Sequence, residues 1–276
     1  MTIRTIVTGA AGRMGRELVG AVMRDASMEL VGAVDAAGHP DMGEDAGVMA
    51  GSGPAGVRLS ADLGALVEGA TAVIDFSAPE AAVENARVAV KAGCAVVIGT
   101  TGLTAAEREG LQELALTGGR IVFAPNMSVG VNLLFHLCDR VARILGEAYD
   151  IEVVEMHHNQ KKDAPSGTAV RLAEILAEAS GMDYDKDVRH GRQGQVGARP
   201  SREIGMHAVR GGDVVGDHTV MFATQGERVE LTHRASSRAT FSSGAVRAVK
   251  FLAAAGPGLY DMQDVLGLRT DGAARR

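Results

Sequence analysis

Apolar positions in the first half of the chain fall into short runs separated by stretches of helical spacing. Ile3–Thr8 has the length and composition of a buried strand. Arg13–Arg24 places Met14, Leu18 and Val22 on one face and predicts a helix. Glu29–Asp35 (ELVGAVD), Ala72–Phe76 (AVIDF), Ala95–Gly99 (AVVIG) and Arg120–Ala124 (RIVFA) read as further strands. Leu63–Val67, Pro79–Ala92 and Glu107–Leu116 read as helices between them. This alternation specifies a parallel sheet covered on both faces.

The second half has a different texture. Val129–Leu145 is a long helical pattern, Tyr149–His158 a strand, and Ser166–Glu178 a helix. Between Met182 and Ala239 the segments IGMHAVRGG, DVVGDHTVMFAT and ERVELTHRA alternate and are punctuated by glycine. They predict a mixed or antiparallel sheet. Ala239–Ala255 returns to helix and is expected to pack back on the first domain. The expected fold is therefore α/β: an amino-terminal Rossmann-like parallel-sheet domain plus a carboxy-terminal α+β domain. A boundary near residues 127–131 gives one domain over 1–127, with 239–276 packing back on it, and a second over 128–238. The tail LRTDGAARR is expected to fray.

Length agrees with two domains, since 276 residues exceed the usual single-domain size. Apolar residues at 46% supply enough surface to fold, so disorder is excluded over most of the chain. The balance of 28 basic against 34 acidic residues gives −6, and aromatics are 3% with no Trp. Nucleic-acid binding is disfavoured, and an anionic partner has to be held by local geometry. Cys94 and Cys138 form no CxxC and no disulfide framework. The longest uncharged stretch, Ile121 to Cys138, contains Pro125, Asn126, Ser128, Asn132 and His136, so it is a poor membrane span. The amino terminus lacks an apolar signal core, and a cytoplasmic location without membrane partners is the expectation.

The first strand runs into Gly9, Ala10, Ala11, Gly12, Arg13, Met14 and Gly15 and then a helix. A glycine turn there brings backbone N–H groups and a helix N-terminus to a pyrophosphate. The spacing is GxxGxxG rather than GxGxxG, so the fingerprint is a variant read in its strand–turn–helix context. Asp35 follows twenty residues after Gly15, where a carboxylate can accept from an adenosine ribose hydroxyl. The bland reading is a tight turn and a surface Asp. No cation follows at Ala36 or Ala37, and a carboxylate beside a 2′-phosphate repels it, so NADH is preferred. Arg13 or Arg16 can still reach that phosphate, which leaves NADPH use open. Gly99, Thr100 and Thr101 follow one strand, and Ala124, Pro125, Asn126 and Met127 another. Both segments belong beyond the carboxyl ends of the sheet, where the nicotinamide end of a dinucleotide sits.

The segment Glu155–Ala169, EMHHNQKKDAPSGTA, concentrates proton donors and cations at a strand end. His157 and His158 would point to opposite faces if the strand continues. Pro165 and Ser166 are helix-start signals. The first-turn N–H groups of Gly167 and Thr168, with the Thr168 hydroxyl, form a carboxylate or phosphate cradle. Lys161 and Lys162 add charge just upstream. Each part alone reads as ordinary surface or cap, but together they predict a site for a small anionic substrate. Metal is not expected: the two His are adjacent, with no CxxC or HExxH beside them. Two alternatives remain, another Rossmann oxidoreductase acting on an amino or hydroxy acid, and a non-catalytic NADH-binding module.

These segments closely resemble the 4-hydroxy-tetrahydrodipicolinate reductase (dihydrodipicolinate reductase) family. GAAGRMG at 9–15, DFSAPE at 75–80, VIGTTG at 97–102, FAPNMSVGVN at 123–132, EMHHNQKKDAPSGTA at 155–169, GDVVGDHTVMF at 212–222 and LTHRASSRATFSSGAVRA at 231–248 carry the likeness. The resemblance implies reduction of 4-hydroxy-tetrahydrodipicolinate, via dihydrodipicolinate, by NAD(P)H in diaminopimelate and lysine biosynthesis. It implies His157 as general acid and Lys161 as a second proton donor, with His158, Gly167 and Thr168 binding a small dicarboxylate. It also implies a homotetramer joined through the sheets of the second domain. Some relatives carry Arg where Ala36 stands, which puts a strong NADPH preference in doubt.

Overall fold

The structure is a computed structural model and describes residues 2–269. Two compact units are present: one holds the chain up to Val129 and resumes at Arg238, and the other holds Gly130–Ser237. Residues 270–276, and with them most of the expectation about the tail, lie outside the described residues.

The first unit alternates β1 (Ile3–Thr8), α1 (Arg13–Arg24), β2 (Met28–Val34), α2 (Ala46–Met49), β3 (Leu59–Ser60), α3 (Leu63–Leu66), β4 (Ala72–Asp75), α4 (Pro79–Lys91), β5 (Ala95–Ile98), α5 (Ala105–Leu116) and β6 (Arg120–Phe123). Its sheet is parallel, and its described strands run from Gly258–Tyr260 (β12) through β6-β5-β4-β1-β2-β3. The edge strand β12 is Gly258–Tyr260 and comes from the returning segment. Adjacent residues of each central strand face opposite layers, as the pleat requires. Val7, Ile74, Val97 and Val122 pack with Leu18 and Val22 of α1 and with Ala245, Val249 and Leu252 of a late helix, Ala239–Leu252. Ile6, Val73, Val96 and Ile121 pack on the other side with Ala82 and Ala86 of α4 and Leu111 of α5. Continuous apolar runs were therefore needed, because both faces are buried.

Four predicted strands stop one residue early, at Val34, Asp75, Ile98 and Phe123. At each stop the next residue donates one last N–H to the neighbouring strand, at Ser60 O, Thr8 O, Asp75 O and Ile98 O, before the chain leaves the sheet at the carboxyl edge. The helix predicted from Glu107 begins at Ala105, because Thr104 and Glu107 form a reciprocal capping box. Strand order reverses direction between β1 and β4, the switch point at which open α/β sheets bind ligands.

The second unit continues with α6 (Val129–Leu145), β7 (Asp150–His157), α7 (Gly167–Ala179), α8 (Tyr184–Asp187), β8 (Val188–His190), β9 (Ile204–Arg210), β10 (Gly216–Thr224) and β11 (Glu227–Ala235). Its sheet runs β11-β10-β7-β9-β8 and is mixed, with β7, β9 and β8 parallel and β10 antiparallel to β7 and β11. Ile151 and Val153 of β7, Val220 and Phe222 of β10, and Leu172 and Leu176 of α7 form one core with Leu134 and Cys138 of α6. The polar segment 191–203 is pinned by Arg199, which reaches Glu152, Asp150 and the carbonyls of Ile151 and Glu203. The chain then returns to the first unit with α9 (Ala239–Leu252), β12 and α10 (Met262–Val265).

Candidate functional site

The turn between β1 and α1 is possible only with glycine at two of its positions. Gly9 has φ +70, and a Cβ there would lie 2.3 Å from the Phe76 carbonyl oxygen. A Cβ at Gly15 would lie 2.0 Å from the Gly9 carbonyl oxygen, so the helix could not start so close to the strand. The turn is braced from below: Ala10 N–H donates to Val34 O at 3.0 Å, and Ala11 N–H donates to Asp35 Oδ2 at 2.9 Å. Arg16 donates to Ala11 O at 2.9 Å, to Asp41 Oδ2 at 2.8 Å and to Met49 O. Of the two cations that could reach a 2′-phosphate, Arg16 is thus engaged in holding the turn.

Two clefts open at the carboxyl ends of the strands. One, of about 470 Å³, is bordered by Gly9, Gly12, Asp35, Ala36, Ala37 and His39. The other, of about 580 Å³, is bordered by Gly12, Arg13 and Met14, by Gly99, Thr100 and Thr101, and by Pro125, Asn126 and Met127. Ala10, Ala11 and Ala124, also expected at the cofactor, are buried and are not among the residues that border either cleft. Phe76 and Ser77 border both clefts, and Arg238 and Phe241 border the larger. Phe76 sits over Gly99, where a Cβ would meet its ring at 2.0 Å.

Under the loops lies a fully buried carboxylate. Asp75 accepts from Thr8 Oγ1 at 2.5 Å, Thr100 Oγ1 at 2.6 Å, Asn85 Nδ2 at 2.8 Å and Ser77 Oγ at 2.9 Å. It ties together the ends of β1, β4 and β5. A dinucleotide fits this architecture: the narrow turn leaves no room for side chains at Gly9 and Gly15, Gly12 borders both clefts, and the acceptor Asp35 stands at one end.

The second site belongs to the other unit. The buried stripe that starts as Ile151 and Val153 on β7 continues as Glu155 and His157. Apolar core thus gives way to ionisable groups on the same face of one strand. Glu155 is fully buried, and its Oε2 lies 2.6 Å from His157 Nδ1. Arg210, ending β9, holds both carboxylate oxygens at 2.9 Å. Ser166 N–H donates to Glu155 Oε1 at 3.1 Å. Burial, the largest single effect on Glu155, would raise its pKa. The bonds from His157, Arg210 and Ser166 outweigh it and hold the carboxyl at about 2.

Ser166 caps α7 by accepting from Ala169 N–H, and its hydroxyl also meets His218 Nε2 at 3.2 Å. The His218 ring packs edge-on against His157 at 5.2 Å. Burial, then the neighbouring His157 charge, push His218 down to about 4. β7 ends at His157, and His158 leaves the ladder by donating its N–H to Val214 O. Lys161 pairs with the exposed Asp163 at 2.9 Å. Gly167 and Thr168 are the first two residues of α7, and a Cβ at Gly167 would meet nothing within 4 Å. His157, Lys161, Gly167 and Thr168 are therefore gathered in one unit, beside a helix N-terminus suited to an anion. Arg210, His218 and Glu155 are its partners, and the first two lie far along the chain from the histidine pair.

Among the described residues no group of three or more His, Cys, Asp or Glu side chains is assembled to hold a metal ion. None of the described helices is long and apolar enough to cross a membrane.

Comparison with known proteins agrees along the whole length. The family described as dihydrodipicolinate reductase, N-terminus, matches residues 3–127, and dihydrodipicolinate reductase, C-terminus, matches 130–266. The 4-hydroxy-tetrahydrodipicolinate reductase of Syntrophotalea carbinolica is 50% identical over 267 residues, covering 97% of this chain and 100% of that protein. That of Magnetococcus marinus is 53% identical over 271 residues, covering 98% and 100%. A solved structure of dipicolinate-bound dihydrodipicolinate reductase from Paenisporosarcina sp. TG-14 superposes with a TM-score of 0.77 at 27% identity, covering 96% of this chain and 99% of that one. An amine dehydrogenase from Mycobacterium smegmatis, 14% identical with a TM-score of 0.60 over 100% of this chain and 98% of its own, shares the fold alone. With both halves matched in order and relatives at half identity over nearly every residue, this chain belongs to the dihydrodipicolinate reductase family.

Proposed function

We propose that the chain reduces 4-hydroxy-tetrahydrodipicolinate, via dihydrodipicolinate, to tetrahydrodipicolinate with NAD(P)H, a step of diaminopimelate and lysine biosynthesis. The observation that carries the reading is the pairing of His157 with an ionised, buried Glu155 beside the Ser166-capped start of α7. A proton donor and an anion cradle then stand together, on a chain that also carries a glycine-turn cleft.

The first unit holds the dinucleotide. Gly9, Ala10, Ala11, Gly12, Arg13 and Met14 surround its pyrophosphate, and Asp35 its adenosine ribose. Gly99, Thr100 and Thr101, with Ala124, Pro125, Asn126 and Met127, surround the nicotinamide end. NADH is preferred, because Asp35 is followed by Ala36 and Ala37 rather than a cation. When bound, the reduced cofactor supplies a hydride.

In the second unit, His157 delivers the proton that the ring of the substrate needs after hydride addition and loss of the 4-hydroxyl as water. Lys161 is the second donor and a carboxylate partner. Its ion pair with exposed Asp163 is worth little, so a substrate carboxylate displaces it at small cost. His158, Gly167 and Thr168 hold the dicarboxylate, and pinning it at two ends fixes its reacting ring. We also read this unit as the oligomerisation domain of a homotetramer. In support, its sheet turns Val154, Met156, Val209 and Met221 to the face opposite the α7 core. The test is competition: dipicolinate titrated into protein with NADH should inhibit competitively against the substrate. Inhibition that tracks NADH instead would count against the cradle.

A further inference from the structure

We infer that Glu155 is a positioning residue for the proton donor: it fixes His157 as the Nδ1–H form, so that Nε2 is the atom that handles the proton. The same carboxylate ties that ring to the first turn of α7.

The geometry leaves the carboxylate no other role. Oε2 accepts from His157 Nδ1 at 2.6 Å and from Arg210 Nη1 at 2.9 Å. Oε1 accepts from Arg210 Nη2 at 2.9 Å and from Ser166 N at 3.1 Å. Arg210 and the Ser166 N–H are obligate donors, so they define both oxygens as acceptors. The side chain is fully buried, and Arg210 in turn is anchored on Asp163 O at 2.8 Å. An ionised carboxylate can only accept, so the hydrogen between it and His157 belongs to Nδ1. The neutral ring then has its lone pair on Nε2, and the charged ring presents Nε2–H.

Space at Nε2 supports this assignment. A Cβ at Gly216 would stand 3.0 Å from His157 Nε2, so glycine at that strand start keeps the atom uncovered by a side chain. His218 closes the flank of the ring edge-on, and its Nε2 bonds to the Ser166 hydroxyl rather than to His157. Because Ser166 N–H is bound to the other oxygen of the same carboxylate, the acid and the helix start that would receive a carboxylate move as one piece. The ring of His157 thus meets Glu155 from its own strand and His218 from β10, with Arg210 of β9 behind the carboxylate.

This inference rests on the proposed reduction for its kinetic readout, but not for its spectroscopic one. The experiment is ¹⁵N-resolved NMR of His157 in the full chain, alongside steady-state kinetics of Glu155→Gln and Glu155→Asp. In the wild type, the neutral ring should show a protonated Nδ1 and a pyridine-type Nε2. In Glu155→Gln that pattern should be lost, with kcat lower by about 10²-fold. Glu155→Asp, which keeps the charge, should recover at least about tenfold of that loss and the Nδ1–H signature. A wild-type ring protonated at Nε2 when neutral would overturn the inference, as would Glu155→Gln turning over within about threefold of wild type. A wild type with the Nδ1–H ring but no turnover would support the inference and overturn the functional reading.

Discussion

Asp35 Oδ2 accepts the Ala11 N–H at 2.9 Å, so the carboxylate ending the second strand is bonded to the turn that opens the first helix. Its other oxygen accepts from Ala36 N–H at 2.8 Å. One residue thus braces the glycine turn and, in our reading, meets the ribose of a dinucleotide whose pyrophosphate lies on that turn. Joining Asp35→Ala with Ala36→Arg should raise the ratio of kcat/KM for NADPH over NADH by at least about tenfold, since a guanidinium replaces a carboxylate at the 2′ position. Asp35→Ala alone should lower stability by about 1 kcal/mol, the scale of one lost hydrogen bond. A cofactor ratio that does not move in the double variant contradicts the ribose assignment.

Asp75 is the buried keystone of the loops that border the larger cleft. Replacing it by Ala strands Thr8, Thr100, Ser77 and Asn85 donors around a void, and should cost about 3 kcal/mol of unfolding free energy. NADH affinity should fall with it, because Ser77 and Thr100 border the larger cleft. Urea denaturation and NADH fluorescence titration check both. A loss below about 1 kcal/mol would show that the four donors find other partners.

In the proposed reaction, Lys161 is the residue whose replacement touches both substrate binding and chemistry. Its Lys161→Ala variant should lower kcat and raise KM for the dicarboxylate while leaving NADH affinity alone. An unchanged KM argues against contact with a substrate carboxylate.

The fold was largely legible because its signals are periodic. Val129–Leu145 keeps one apolar face over 17 residues, and β7 is marked by its β-branched Ile151, Val153 and Val154. Leu59–Ser60, Val188–His190 and Gly258–Tyr260 were not legible, because two or three residues carry no period. At the site, His157, Lys161, Gly167 and Thr168 stood out through local clustering. Arg210 and His218 did not: they reach Glu155 and Ser166 across 55 and 52 residues of chain, and only the pairing of β9 and β10 with β7 brings them there. Asp75 was visible only as part of a motif, since its partners come from the ends of β1, β4 and β5 and from α4.

Acid should destabilise the protein in a defined window. The unfolded chain protonates at an ordinary histidine near 6.5, whereas His218 in the fold, desolvated and beside His157, accepts a proton only near 4. As pH falls between those values, the unfolded state binds a proton that the folded state refuses. Stability therefore drops by about 1.4 kcal/mol per pH unit for this one group. His233, also lowered chiefly by burial, acts in the same direction. Glu155 works lower: its stabilisation is lost only as pH falls from its ordinary 4.5 towards 2. His218→Gln should flatten the curve between pH 6.5 and 4 in urea titrations. A curve as steep as the wild type's would remove His218 from that role.

The central claim is that this chain is a reductase whose proton comes from His157. The direct measurement supplies 4-hydroxy-tetrahydrodipicolinate in situ and follows NADH loss for the wild type and His157→Ala. The account predicts substrate-dependent oxidation of NADH by the wild type and a kcat lower by about 10²-fold in the variant. NADH that binds without being consumed, or a variant that turns over like the wild type, would contradict it.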